Sequence, residues 1–139
     1  MNRADFQKLA ELRIKEAKVL LDSKRYEGAY YLAGYAIECA LKACIAKKTK
    51  RYDFPPKEKA VRELYTHELE KLVRGADLEA SLRVKEAADV QFKLNWAVVK
   101  GWKEEARYEP EIDEKLARDL YSAIAGKKHG VLSWLKKYW

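Results

Sequence analysis

The chain has 139 residues, 48% of them apolar, with 4 Trp, 9 Tyr and 3 Phe; that is the length of one domain, with enough core-forming side chains to exclude intrinsic disorder. Its 29 Lys and Arg against 22 Asp and Glu leave a net charge of +7, which admits a polyanionic partner such as RNA without establishing one. No window reaches the roughly 20 continuous apolar residues of a membrane span, and the charged opening MNRADFQKLAELRIKEA holds no apolar signal core, so the expected setting is cytoplasmic, with no membrane partner.

Only 6 Gly and 3 Pro punctuate the chain, which suits a few long helices better than many short strands. A first helix is expected from about Asp5 to Leu21, where Phe6, Ala10, Ala17, Leu20 and Leu21 recur at helical steps. Arg13 falls on the same stripe. A short break follows, in which Ser23 is a candidate cap for the next helix. That second helix, about Arg25 to Lys48, carries the strongest signal. Residues 28–41 read GAYYLAGYAIECAL and hold a single charge, Glu38. A helix apolar nearly all round belongs at the centre of an assembly. Gly28, Ala29, Ala33, Gly34, Ala36 and Ala40 allow close helix approach. Cys39 and Cys44, five apart, project in different directions and read as small core side chains rather than a disulfide.

The second helix runs into a basic loop, KKTKRYDFPPKEK, where Pro55 and Pro56 exclude continuous helix. Thr66 reads as the N-cap of a short third helix, with His67 and Glu68 in its first turn and Gly75 as its stop. The pattern is helical again from about Leu78 to Lys103, with a break expected near Asp89 or Asn95; Phe92, Trp96, Val99 and Trp102 form its apolar stripe. Pro110 marks another break. A last helix is expected from about Glu111 to Lys137, locally weakened by Gly126 and Gly130. No repeat, low-complexity segment or long linker divides the chain. The fold class is therefore all-α: residues 1–139 form a single domain, an up-down bundle of four to five helices.

Four segments carry a family resemblance. RYEGAYYLAGYAIECALKA (Arg25 to Ala43) resembles the second helix of HEPN domains, and YTHELEKL (Tyr65 to Leu72), WKEEARY (Trp102 to Tyr108) and GVLSWL (Gly130 to Leu135) follow in the family's order. The resemblance implies a helical bundle that dimerises. It implies an association with RNA cleavage, with toxin–antitoxin or defence systems, and with minimal nucleotidyltransferase partners. Catalytic members carry an Arg, four to six residues, then a His, and two protomers' motifs face each other to form one site. In this chain the nearest Arg before His129 is Arg118, eleven positions back, while Arg62 stands five before His67 in RELYTH. That spacing fits, but it precedes the third helix rather than opening the last core helix. By position the counterpart is Arg107-Tyr108, which no His follows until His129.

Glu38 is the most informative single residue, because a lone carboxylate on an apolar helix is costly to bury without a partner. Lys42 stands four residues on in the favourable order, and Tyr31 and Tyr35 share its face, so Tyr31, Tyr35, Glu38 and Lys42 form one polar-aromatic stripe. Arg13 and Arg107 are the candidate partners from other helices, and a buried structural ion pair is the alternative to a functional cleft or dimer interface. Arg107, Glu38 and His67 are the candidate catalytic residues: the planar guanidinium suits phosphate oxygens, and imidazole suits proton transfer. Each has a structural alternative, an Arg packed on Trp102 or a His half-exposed at a helix start. His129, beside Lys127 and Lys128, reads as a surface residue. Lys47, Lys48, Lys50, Arg51 and Tyr52 are the candidate RNA contacts, with charge for phosphates and a ring for a base; the alternative is a solvated loop.

No Gly-rich phosphate loop, dinucleotide fingerprint or nucleophile elbow is present, so no cofactor is expected. Two His and two scattered Cys do not make a zinc site. Three readings follow. One is a HEPN-type RNA-associated protein, ribonuclease-like or a degenerate relative. Another is a non-catalytic partner of a minimal nucleotidyltransferase, with Tyr108 as a contact or modification point by analogy with related domains. The third is a dimer binding a small ligand in an apolar pocket of Tyr31, Tyr35 and Trp96. Whether the chain is an enzyme stays open between them. A homodimer is expected under all three, burying spare apolar surface of the second or last helix.

Overall fold

A computed structural model describes residues 1–52, 62, 65–108 and 111–139, the side chains of residues 50–52 excepted. The breaks expected at Pro55, Pro56 and Pro110 lie outside the described residues. Those described form an all-helical bundle: α1 (Arg3–Asp22), α2 (Tyr26–Tyr52), α3 (Leu69–Gly75), α4 (Glu79–Ala88), α5 (Val90–Val99), a 3₁₀ turn (Glu104–Tyr108), α6 (Glu114–Ala125) and α7 (Val131–Leu135).

The first two helices form an antiparallel hairpin. Arg3, at the start of α1, donates to the Trp139 carbonyl at 2.6 Å, and Cys44, late in α2, lies 3.9 Å from the Leu135 carbonyl. Both ends therefore meet the C-terminal segment. Asn2 opens α1 with a reciprocal capping box to Asp5. At the other end Arg25 N–H reaches back to the Leu20 carbonyl and Lys24 N–H to that of Leu21. This pair of bonds is a Schellman closure, with Lys24 in the left-handed region at φ 61°. Ser23 thus closes α1 rather than capping α2.

All six residues from 36 to 41 are buried, so α2 is covered on every side over that stretch. It is the central helix that its apolar composition implies. Helices α1, α3, α6 and α7 and the 3₁₀ turn pack around it. A Cβ at Gly34 would stand 2.3 Å from the Trp102 indole; only glycine lets that ring lie against the helix. Cys39 and Cys44 are both free and buried.

Two of the expected helices are split. Asp89 ends α4 and caps α5, its side chain accepting from Phe92 N–H at 3.0 Å. The last helix breaks between α6 and α7. There a Cβ at Gly130 would fall 2.1 Å from the Gly126 carbonyl oxygen, so the chain reverses through a contact too close for a side chain. The third helix begins later than its sequence implies. Thr66 accepts from Glu68 N–H in a turn ahead of the helix, and Glu68 occupies the N-cap position without a side-chain bond. His67 therefore lies in this turn, not in the helix. Gly75 is the last helical residue, as expected, but the left-handed residue that closes the end is Asp77, at φ 58°, and Leu78 N–H bonds back to Val73.

Candidate functional site

Glu38 is buried in the middle of α2. A carboxylate there requires compensating donors. One comes from its own helix: Lys42 Nζ lies 3.1 Å from Glu38 Oε2, with only 11% of the lysine side chain exposed. The other comes from the turn before α3. His67 Nδ1 stands 3.1 Å from both Glu38 oxygens. An ionised carboxylate only accepts, so Nδ1 is the nitrogen that carries the proton. This fixes the ring and turns Nε2 outward, where it lies 3.5 Å from Glu104 Oε2. Glu104 in turn pairs with Arg107 across one 3₁₀ step, at 3.2 Å. The result is an alternating chain, Lys42–Glu38–His67–Glu104–Arg107, running from the core to the surface.

Aromatic rings back this chain. Tyr31 and Tyr35 stack with centroids 6.0 Å apart, and Trp102 lies 6.1 Å from Tyr31. The Arg107 guanidinium sits 4.6 Å over the Tyr108 ring and is also reached by Tyr31. Burial, helped by Cys39 and then Glu38, pushes the Tyr35 hydroxyl up to about 12. Burial and Glu38 push the Cys39 thiol up to about 11. Neither ionises near neutral pH, which leaves His67 as the group here suited to proton transfer. The imidazole opens onto a cleft of about 630 Å³. Its walls are the 65–70 segment, Lys100 and residues 102–105.

The three candidate catalytic residues, Glu38, His67 and Arg107, are thus brought together, and Lys42, Tyr31, Tyr35 and Tyr108 lie beside them. The partners of Glu38 differ from expectation. Neither Arg13 nor Arg107 pairs with it: Arg13 is bound to Glu16 on its own helix and Arg107 to Glu104. The protein partner from elsewhere in the fold is His67. Glu104 was not singled out by sequence; its signal was the three-residue step to Arg107 in WKEEARY. Trp102, rather than the expected Trp96, lies against Tyr31, while Trp96 lines a cavity beside Glu70 and Arg74. Lys47 and Lys48 lie away from the cleft on the last part of α2, and Lys48 is paired with Asp77 at 2.9 Å. The side chains of Lys50, Arg51 and Tyr52 are outside the described residues. His129 is half-exposed but not free: its Nδ1 lies 2.7 Å from Asp89 Oδ2.

A central oily helix with one buried acid, clamped by a histidine at a cleft mouth, defines a helical bundle built around a polar site. The chain belongs to the HEPN family, whose HEPN domain model matches residues 5–137. No curated protein and no solved structure matches it. Among the described residues, no helix is long and apolar enough to cross a membrane.

Proposed function

We propose that this chain is an RNA-associated HEPN protein whose cleft carries a ribonuclease-like site, of the kind used in prokaryotic toxin–antitoxin or defence systems. The observation that supports this is the Glu38–His67 pair. A buried carboxylate orients an imidazole, as in other acid–base dyads, while the far nitrogen faces a cleft. RNA supplies its own nucleophile. His67 Nε2 takes the proton of a 2′-hydroxyl, O2′ attacks the adjacent phosphorus, and the P–O5′ bond breaks. The products are a 2′,3′-cyclic phosphate and a 5′-oxygen that takes its proton from water, while His67 gives up the 2′-hydroxyl proton to solvent. Glu104 now occupies the space between His67 and Arg107; a phosphate displacing it meets both, with the guanidinium fork on its oxygens.

A second reading rests on Tyr108, which is 72% exposed on the rim and cushioned by Arg107. It is the surface a minimal nucleotidyltransferase partner would contact or modify. A homodimer belongs to both readings.

Purified protein incubated with total cellular RNA separates them. Cleavage by the wild type that falls at least about a hundredfold in His67→Ala, within the usual contribution of an acid–base group, and falls also in Arg107→Ala, supports the ribonuclease reading. Intact RNA, with the protein instead retaining a small nucleotidyltransferase, overturns it in favour of the partner role.

A further inference from the structure

A second cavity, of about 340 Å³, lies well away from the cleft, between the last part of α2, the α3–α4 junction and the C-terminal segment. Its floor is apolar: Cys44, Ala76 and Leu78. Burial pushes the Cys44 thiol up to about 12, so it adds no negative charge there. Its rim is cationic, formed by Lys47, Lys48 and Lys137. Asp77 neutralises Lys48, but Lys47 and Lys137 form no ion pair among the described residues. Tyr138 completes the wall, packed edge-on against Trp134 with centroids 5.2 Å apart. The negative end of a helix dipole accounts for lysines at the end of α2. It does not account for Lys137, which arrives from the far end of the chain and meets them across an aromatic ring.

We infer that this groove holds a single-stranded segment of RNA, with Lys47 and Lys137 on its phosphates and Tyr138 against one unpaired base. The inference rests on the RNA reading above, but not on cleavage, since none of these residues belongs to the cleft. The size decides for a single strand: about 340 Å³ is at the lower end of ligand pockets, room for one splayed group and not for a duplex. Unpaired bases stacked on aromatic rings beside lysines are the usual mode of single-strand recognition.

Fluorescence anisotropy of a labelled 12-nucleotide oligouridine, titrated with the full chain over a range of salt concentrations, tests it. Lys47→Gln/Lys137→Gln is expected to bind at least about tenfold more weakly, and to flatten the slope of log affinity against log salt by about 1.4, near 0.7 for each lost phosphate contact. Tyr138→Ala is expected to lose about tenfold, and Tyr138→Phe, which keeps the ring and its packing on Trp134, to bind as the wild type. If the wild type binds and the lysine and Tyr138→Ala variants bind equally well, the groove assignment is wrong and the RNA reading survives. If the wild type binds no RNA, both fall.

Discussion

Glu38 is buried with two donors, Lys42 and His67, and that decides how it responds to substitution. Lys42 is nearly as buried as its partner, with 11% of its side chain exposed against 2% for the glutamate. Removing the carboxylate therefore leaves a buried ammonium and an imidazole N–H without an acceptor. Breaking one side of such a pair costs roughly 3–5 kcal/mol, and Glu38→Ala is expected to lose about 3 kcal/mol in urea unfolding. Glu38→Gln, which still accepts a hydrogen bond, should lose less. A loss below about 1 kcal/mol for the alanine variant would mean that the carboxylate is not the anchor described. The need for a partner was legible in the sequence, because one acid interrupts an otherwise oily stretch. The partner's identity was not: His67 is 29 residues away, and its ring reaches Glu38 only because Thr66 holds the segment in a turn ahead of α3. Glu104 was less legible still, being one of two adjacent acids in a short charged run.

Asp89 shows the same logic one level up, where a single side chain ends one helix, starts the next and pins a distant loop. Its carboxylate accepts from Phe92 N–H, from Lys85 at 3.2 Å and from His129 at 2.7 Å. The bond to His129, then the cap bond to Phe92, hold it well below the usual carboxylate range. A carboxyl depressed in the folded state contributes stability that is fully present above its unfolded value, about 3.9. That contribution is lost as pH falls from there through the lower folded value. Asp89→Asn, which keeps a capping oxygen for Phe92 N–H but removes the charge that Lys85 and His129 meet, is expected to lower Tm by about 2–4 °C at pH 7. The difference between variant and wild type should shrink progressively below pH 4. A gap that stays constant down to pH 2 would show that the charge plays no part. This junction was legible in the sequence as a break near Asp89, since an Asp ahead of an apolar run is a cap signal. The split between α6 and α7 was only half-legible. Two glycines announce weakness, but the reversal depends on how closely Gly130 approaches Gly126, and that is a matter of tertiary contact. The same holds at Lys24 and Asp77, two helix ends closed by left-handed residues that are not glycine, where composition points elsewhere.

At the scale of the molecule, Leu12, Val19 and Val84 are exposed singly among the described residues, whereas one face carries a run of exposed apolar side chains. Spare apolar surface was expected on the second or last helix; α2 shows no large exposed apolar side chain among the described residues, and the stripe lies on α5 with Leu116 of the last expected helix beside it. Val90, Leu94 and Val98 are 72%, 57% and 43% exposed at four-residue steps, which places them on one stripe. Helix α6 runs antiparallel beside it, because His129, just after α6, meets Asp89 and Asn95 near the start of α5. The groove between them, lined by Leu94, Val98, Asp119 and Ala123, has Leu116 half-exposed one turn before Asp119. Basic Lys127 and Lys128 stand at one end and Asp119 toward the other. Two copies crossing this face would cover the stripe, since a two-fold contact sets the same patch of each copy against the other. Contiguous exposed apolar surface of this kind marks an interaction site. On the proposed homodimer, sedimentation equilibrium at micromolar concentration should give twice the 16.2 kDa chain mass. Leu94→Glu/Val98→Glu, which buries two like-charged pairs at the two-fold contact but leaves the core untouched, should restore the single-chain mass with helical content unchanged. A wild type that sediments as one chain would remove the dimer; a double variant that still sediments as two would move the contact to another face, toward the cleft, where Tyr65 and Tyr108 are the large side chains left exposed.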